Sequence, residues 1–368
     1  MAVVQLRGGL LLCPLPGICV GSFQWHPGFQ RTADRIQRQH RQRPHHPTPC
    51  PFPAPSRRAD LAAVQPLSDF GAGLFVGGHR PVAERVGPFA TPHFLTTVWH
   101  HTAGDGQDPV VLSDDRGEVA LVEWEGNLGL LGHEDLVDYR SPLGEVEDLL
   151  VEYLAAQGKG RVFRFDSLPE EAVRVFARAL DRVGAEYGVE HHTDTAVVGL
   201  PETFEQYLAD IGKKQRHEAR RKRRRFVGEM GDLHRRTIEE PDTMLDDFFR
   251  LHRQAGGSKG SFMTDRMESM FVDLLRGTGW RLDALYGEES PLVAAVIGCS
   301  DPDGYFLYNS AYDPDFFHLS PGVVLLNELI EETIEAGGVV FDFLKGSETY
   351  KYRMGARSRP LLVVEGRT

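Results

Sequence analysis

The chain has 368 residues, 41% of them apolar, which gives room for two domains of ordinary size and the make-up of a globular protein. No apolar run approaches the length of a bilayer span, which excludes a transmembrane helix. A formal charge of −12 hides an uneven spread: residues 212–226, GKKQRHEARRKRRRF, hold nine Lys or Arg and one Glu. An otherwise acidic chain thus gathers a strong positive charge in one short segment, where an anion would meet it.

Residues 1–72 are rich in Pro, Arg, His and Gln and follow neither a strand nor a helix period. Such a stretch cannot bury enough apolar surface to offset its ordering entropy, and it reads as a disordered tail. Within it, GLLLCPLPGICV at 9–20 imitates a signal peptide, but prolines interrupt it and no convincing cleavage site follows. Cys13, Cys19, Cys50 and Cys299 form neither a disulfide framework nor a metal-ligand spacing, which points to a reducing, cytoplasmic setting.

From Phe89 the text becomes structured, and residues 73–198 read as one domain. TPHFLTTVWHH predicts a short helix, PVVLSDD and EVALVEWE two strands joined by an Arg-Gly turn, and LGLLG a third. The helix LGEVEDLLVEYLAAQG, ended by Gly158, leads to the strand RVFRFDSL, the helix PEEAVRVFARALDRVG and a strand near 189–199. Residues 199–368 repeat that order beyond the basic segment. LHRRTIEE is a strand, DTMLDDFFRLHRQAGG and DRMESMFVDLLRG are helices, and RLDALYG, LVAAVIGCS and YFLYNSAY form a three-strand run. Then come the helix SPGVVLLNELIEETIEAGG, the strand VVFDFL, a short helical stretch near 347–354 and the strand PLLVVEG. Each half places Ser-Pro after a loop that contains Asp and Tyr, with Asp138, Tyr139, Ser141 and Pro142 against Tyr312, Asp313, Ser320 and Pro321, so a duplicated α/β unit is the simplest account.

The second Ser-Pro is followed by Gly322. Pro321 suits a first helical position, Ser320 an N-cap, and Gly322 leaves room for close approach. The amides of Gly322, Val323 and Val324 would then point out of the helix start, where aligned dipoles favour a phosphate or pyrophosphate. The plainer alternative is that Ser-Pro-Gly is only a good helix start.

The three blocks YLADIGKKQRHEARRKRRRF, YNSAYDPDFFHLSPGVVLL and FDFLKGSETYKYRMG carry a resemblance. The chain from about Phe89 onward resembles the acyl-CoA N-acyltransferase (GNAT) superfamily. It is similar in particular to the bacterial acetyltransferase family first associated with cellulose biosynthesis, hence with polysaccharide biosynthesis, which shares two GNAT-like halves with Fem-type peptidyltransferases. The implied fold class is α/β: two tandem GNAT-like domains, mixed sheets flanked by helices, behind the disordered tail. The implied donor is acetyl-CoA, with its pyrophosphate on the loop at Ser320, Pro321 and Gly322. Backbone amides near YFLYNSAY would hold the acetyl carbonyl, and Asn309 on that strand is counted with the coenzyme-binding residues. In the first half Leu143 stands where the second has Gly322, so one working site is expected, in the second half. Met354, where that family more often has Trp, is a departure in the acceptor region.

Acyl transfer to an amine needs a neutral amine, a polarised thioester carbonyl and a proton for the thiolate. Asp342 alternates with Phe341 and Phe343 and is either a base or anchor for the amine, or a structural acceptor. Tyr350 is placed by the resemblance as the thiolate's proton donor, against packing on the sheet. Lys345 and Lys351 would pair with a coenzyme phosphate or an anionic acceptor, or be ordinary surface charges. Tyr308 and Tyr312 would line the acceptor cleft. Cys299, on an apolar run without a positioned base, reads as core. In the basic segment, Lys213, Lys214, Arg216 and Arg220 either pair with the chain's own acids, or contact coenzyme phosphates or an anionic acceptor, or bind RNA. The last would matter for a Fem-type ligase fed by aminoacyl-tRNA and acting on a cell-wall precursor, or for a non-enzymatic protein that keeps the fold and binds RNA or an acidic partner. His100-His101 and His191-His192 lack the partners of a metal site, and no metal is assigned.

Overall fold

The computed structural model describes residues 78–288 and 290–368. The tail expected over 1–72, with Cys13, Cys19, Cys50 and the signal-like run, lies outside the described residues. Two compact units form, one from the described residues up to Asp194 with Pro360–Thr368, the other from Thr195–Arg359.

The N-terminal unit opens with helix α1 (Pro92–Thr102), where Pro92 takes the first helical position and the Thr91 hydroxyl accepts the Phe94 amide. Strands β1 (Gln107–Ser113), β2 (Gly117–Trp124) and β3 (Asn127–Leu130) then run as an antiparallel meander. The long helix expected from Leu143 starts later. Leu143–Gly144 is a short strand, β4, paired with β2, and helix α2 spans Glu147–Ala156. The reason is that β2 claims the Leu143–Gly144 backbone, and Gly144 sits at φ 66, outside the helical region. Strand β5 (Val162–Leu168) pairs in parallel with β3, and helix α3 (Glu170–Val183) ends on the left-handed Gly184. Strand β6 (Glu186–Gly199) follows. Phe163, Phe165 and Phe176 stack at the centre of this unit's core with apolar residues of α2 and α3.

The C-terminal unit carries helices α4 (Phe204–Asp210) and α5 (Gly212–Met230), strand β7 (His234–Ile238) and helix α6 (Met244–Gln254). Helices α7 (Gly257–Phe262) and α8 (Asp265–Leu274) come next, then strands β8 (Trp280–Tyr286), β9 (Leu292–Asp301) and β10 (Gly304–Tyr312). After a 3-10 turn at Pro314–Leu319, helix α9 (Pro321–Glu335) leads to strand β11 (Val340–Lys345), helix α10 (Thr349–Arg353) and strand β12 (Arg357–Arg367), whose residues from Pro360 on belong to the N-terminal unit and pair with β5. Helix α7 was not expected: GSKGSF reads as a glycine-rich loop, and packing of Phe262 on α6 overrides that propensity. Strands β7 to β10 are antiparallel in chain order, β10 meets β11 in parallel, and the end of β6 flanks β11. The core beneath includes Leu325, Leu329, Ile330, Phe341 and Phe343, with Phe226 the buried residue of α5.

The duplicated order extends to backbone detail. Each unit has a meander, a helix, a strand parallel to the last of the meander, and a penultimate residue of that strand at positive φ: Ser167 (56°) in β5 and Leu344 (59°) in β11. Among the described residues no helix is long and apolar enough to cross a membrane.

Candidate active site

Strands β10 and β11 pair only over Gly304–Phe306 and Val340–Asp342. Beyond that point each stays bonded to its outer neighbour and breaks register: β10 bulges between Leu307 and Asn309 opposite β9, and β11 between Asp342 and Lys345 opposite β6. A gap therefore opens at the carboxyl ends of two parallel strands, the usual seat of ligands in α/β sheets, and a bulge re-aims the backbone beside it.

The far wall of this gap is held by Asp342 and Lys351. Leu344 lies in the left-handed region, costly for a non-glycine residue. The Asp342 carboxylate accepts the Leu344 amide at 2.8 Å. The Lys351 ammonium donates to the carbonyls of Lys345 (2.7 Å), Leu344 (3.3 Å) and Gly346 (3.4 Å) and pairs with Glu348 at 3.0 Å. Both side chains are buried, Lys351 at 3% exposure. Lys351 thus spends its charge on the protein's own loop, and Asp342 serves the bend of its own strand, the structural one of the two readings given for it. Lys345 contributes its carbonyl to that clamp, and its side chain is half-buried.

The helix start also differs from expectation. Ser320 adopts the left-handed conformation (φ 56, ψ 47), and its side chain makes no capping bond. Its carbonyl accepts the amides of Val323 (3.0 Å) and Val324 (3.2 Å), so those two are engaged within the helix. Of the three amides expected to be free, Gly322 alone has no acceptor among the described residues. A side chain at Gly322 would meet nothing within 4 Å, so the space before that amide is open.

Tyr350 packs edge-on against Phe343 at 5.9 Å and is half-buried. Burial, and then the nearby Glu348 carboxylate, push its phenol well above the usual tyrosine range, so it keeps its proton at neutral pH. Tyr308 occupies the bulge and sets its ring against Trp280 (5.3 Å) and Phe271 (5.9 Å). Tyr312 packs on the margin of the core near Phe317. Asn309 turns its side chain to His252, Oδ1 to Nε2 at 3.0 Å. Cys299 is buried in β9, its thiol pushed up to about 12 by desolvation.

The sequence reading missed His252, Lys259 and Glu348. His252 is buried on α6 one turn after Phe248, and burial, then the Lys259 ammonium, push its imidazole down to about 4. The signal was present, since His252 falls on the apolar stripe of Met244, Leu245, Phe248 and Phe249. The basic segment is indeed helical, as α5, and several of its cations pair internally. Arg220 meets Glu205, Arg221 meets Glu218, Arg223 meets Glu328 and Arg225 meets Glu229. Lys213, Lys214 and Arg216 have no ion-pair partner among the described residues, and both lysines are exposed.

The N-terminal unit shows what a filled counterpart looks like. Strands β3 and β5 pair only at Leu128–Phe163 and Gly129–Arg164. The cleft beyond is lined by Arg140, which donates to the carbonyls of Leu131 and Gly132 and to Asp166. The loop equivalent to Ser320–Gly322 is closed too: Ser141 Oγ accepts the Ala83 amide, Pro142 the Val82 amide, and Leu143 is in β4. Glu134, Asp166 and His192 come within metal-ligand reach of one another, but Arg164 and Arg140 already neutralise the two carboxylates and oppose a cation.

Residues 213–352 match the acetyltransferase (GNAT) domain. Among solved structures, the chain is similar to a conserved protein of unknown function from Bacteroides thetaiotaomicron (TM-score 0.53, 12% identity, 77% of this chain and 92% of that one). It is also similar to L-PGS from Bacillus licheniformis (0.52, 16%, 78% and 92%). FemX gives 0.51 at 10% identity over 70% of this chain and 87% of its own. No curated protein matches the chain in sequence. The C-terminal unit thus has the acyltransferase fold of the GNAT superfamily, and the gap between β10 and β11 is its candidate active site.

Proposed function

We propose that this protein is an N-acyltransferase that moves an acetyl group from acetyl-CoA to an amine or amino sugar. The observation that carries the reading is the gap between β10 and β11, with a bulge at Leu307–Asn309 on one wall and the open Gly322 amide at the start of α9. Main-chain donors freed by the bulge would polarise the thioester carbonyl. The neutral amine attacks that carbon directly, the new C–N bond forms as the C–S bond breaks, the proton lost by the nitrogen passes through solvent to restore the proton donor, and no covalent enzyme intermediate is required. Tyr350, protonated and set edge-on against Phe343 of β11, would give its proton to the departing thiolate. The Gly322 amide, helped by the α9 dipole, would take one oxygen of the pyrophosphate. Kinship with the cellulose-associated acetyltransferases and a cytoplasmic location belong to this proposal, supported by the three sequence blocks and the cysteine pattern.

The exposed Lys213 and Lys214 support a second reading, an aminoacyl-tRNA-dependent ligase acting on a cell-wall precursor. Calorimetry with acetyl-CoA, desulfo-CoA and tRNA separates the two. Binding of both coenzyme forms is expected, and tRNA binding with no coenzyme binding would reject the first reading.

A further inference from the structure

Lys259 lies on α7, the short helix that follows α6. Its helix, α7, is locked onto the end of α6: a side chain at Gly260 would lie 2.7 Å from the Arg253 carbonyl, and Phe262 stacks 5.7 Å from the His252 ring. His252, at 1% exposure, reaches Asn309 directly after the β10 bulge. On the opposite side, the carboxylate that acts on Lys259 is Glu348, at the head of α10 beyond β11. Lys259 is therefore within electrostatic reach of groups beside both diverging strands, His252 next to Asn309 of β10 and Glu348 beyond β11.

Its charge is unbalanced there. Glu348 is already paired with Lys351 at 3.0 Å, so two ammonium groups share one carboxylate. Lys259 itself is half-buried and has no ion pair or hydrogen bond to its ammonium among the described residues. Burial lowers its pKa, and the neighbouring imidazole of His252 is neutral and gives no compensation. A partly buried cation without a partner is destabilising, and one anion from a ligand would relieve it.

We propose that Lys259 determines acceptor specificity: the acceptor amine carries a carboxylate or a phosphate, which Lys259 binds while the amine lies at the bulge. This rests on the acyl-transfer reading above. The test follows acetyl transfer by the full chain to alanine against alaninamide, and to glucosamine 6-phosphate against glucosamine. Wild type, Lys259→Met and Lys259→Arg are compared. Wild type should prefer the anionic member of one pair, and which pair responds distinguishes carboxylate from phosphate. Lys259→Met should cut that preference in kcat/KM about tenfold or more, the loss of one charge-assisted hydrogen bond, while Lys259→Arg keeps most of it. The acetyl-CoA Kd should be the same in all three. An unchanged preference in Lys259→Met, or a weakened acetyl-CoA Kd in its place, overturns the proposal. If no amine is acetylated, the acyl-transfer reading has failed and thermal melting judges Lys259 alone. Lys259→Met should then melt higher than wild type, and glucosamine 6-phosphate or alanine should raise the wild-type melting temperature only. Equal shifts in both proteins would count against it.

Discussion

The ammonium of Lys351 lies 2.7 Å from the backbone carbonyl of Lys345, six residues earlier in the chain, and two further carbonyls and Glu348 complete its surroundings. A buried cation with this many acceptors holds a loop in a shape the backbone resists, since Leu344 and Gly346 both have positive φ. Lys351→Met would leave Glu348 and the carbonyls without their donor. Urea denaturation should show a loss of about 3 kcal/mol, typical of removing one partner from a buried ion pair. A variant that kept its stability and lost only coenzyme affinity would return Lys351 to the phosphate-binding role.

Gly322→Asp tests the helix start without disturbing packing. The position is helical and open, so the unfolding free energy should change by less than about 0.5 kcal/mol. The new carboxylate would occupy the space before the Gly322 amide and repel a pyrophosphate. Calorimetry should find acetyl-CoA affinity reduced by about tenfold or more, the equivalent of one charged hydrogen bond. Undiminished affinity would place the pyrophosphate elsewhere.

Much of this was legible in the sequence, for physical reasons. The meanders, the amphipathic helices and the helix start at Ser320-Pro321 follow from hydrophobic period and turn chemistry, which act over a few residues. The clamp on Leu344 was not, because a lysine written four residues before the end of a motif gives no sign that its ammonium folds back onto carbonyls. The state of the helix start was also misjudged: an amide four residues after the N-cap bonds the N-cap carbonyl in any α-helix, which engages Val324, and the tighter bond of Val323 to the same carbonyl is not encoded by composition. Lys259 escaped notice because Gly-Ser-Lys-Gly looks like a loop until Phe262 docks on His252.

Tyr350→Phe removes one hydroxyl and leaves the ring against Phe343. If the phenol protonates the thiolate, kcat should fall by about a hundredfold, within the usual range for a general acid, with KM little changed. Because burial raises this phenol's pKa, the wild-type rate should hold through pH 10 before it loses its acid. A wild-type profile falling near pH 8, or a Phe variant of unchanged rate, would assign the proton to another group.

The last prediction concerns His252, whose folded-state pKa is depressed to about 4 from 6.5. The unfolded chain takes up this proton first as pH falls, so the contribution is present above about pH 6.5 and is lost on the way down to about 4. The gap corresponds to about 3 kcal/mol, so urea midpoints between pH 7.5 and 4.5 should fall more steeply in wild type than in His252→Gln. The Lys259 ammonium is one of the groups that oppose the proton. Lys259→Met should therefore raise the folded-state pKa of His252 and make the fall shallower, which NMR titration of the imidazole can read directly. An imidazole titrating near 6.5 in both proteins would show that neither burial nor Lys259 acts on it as the geometry requires.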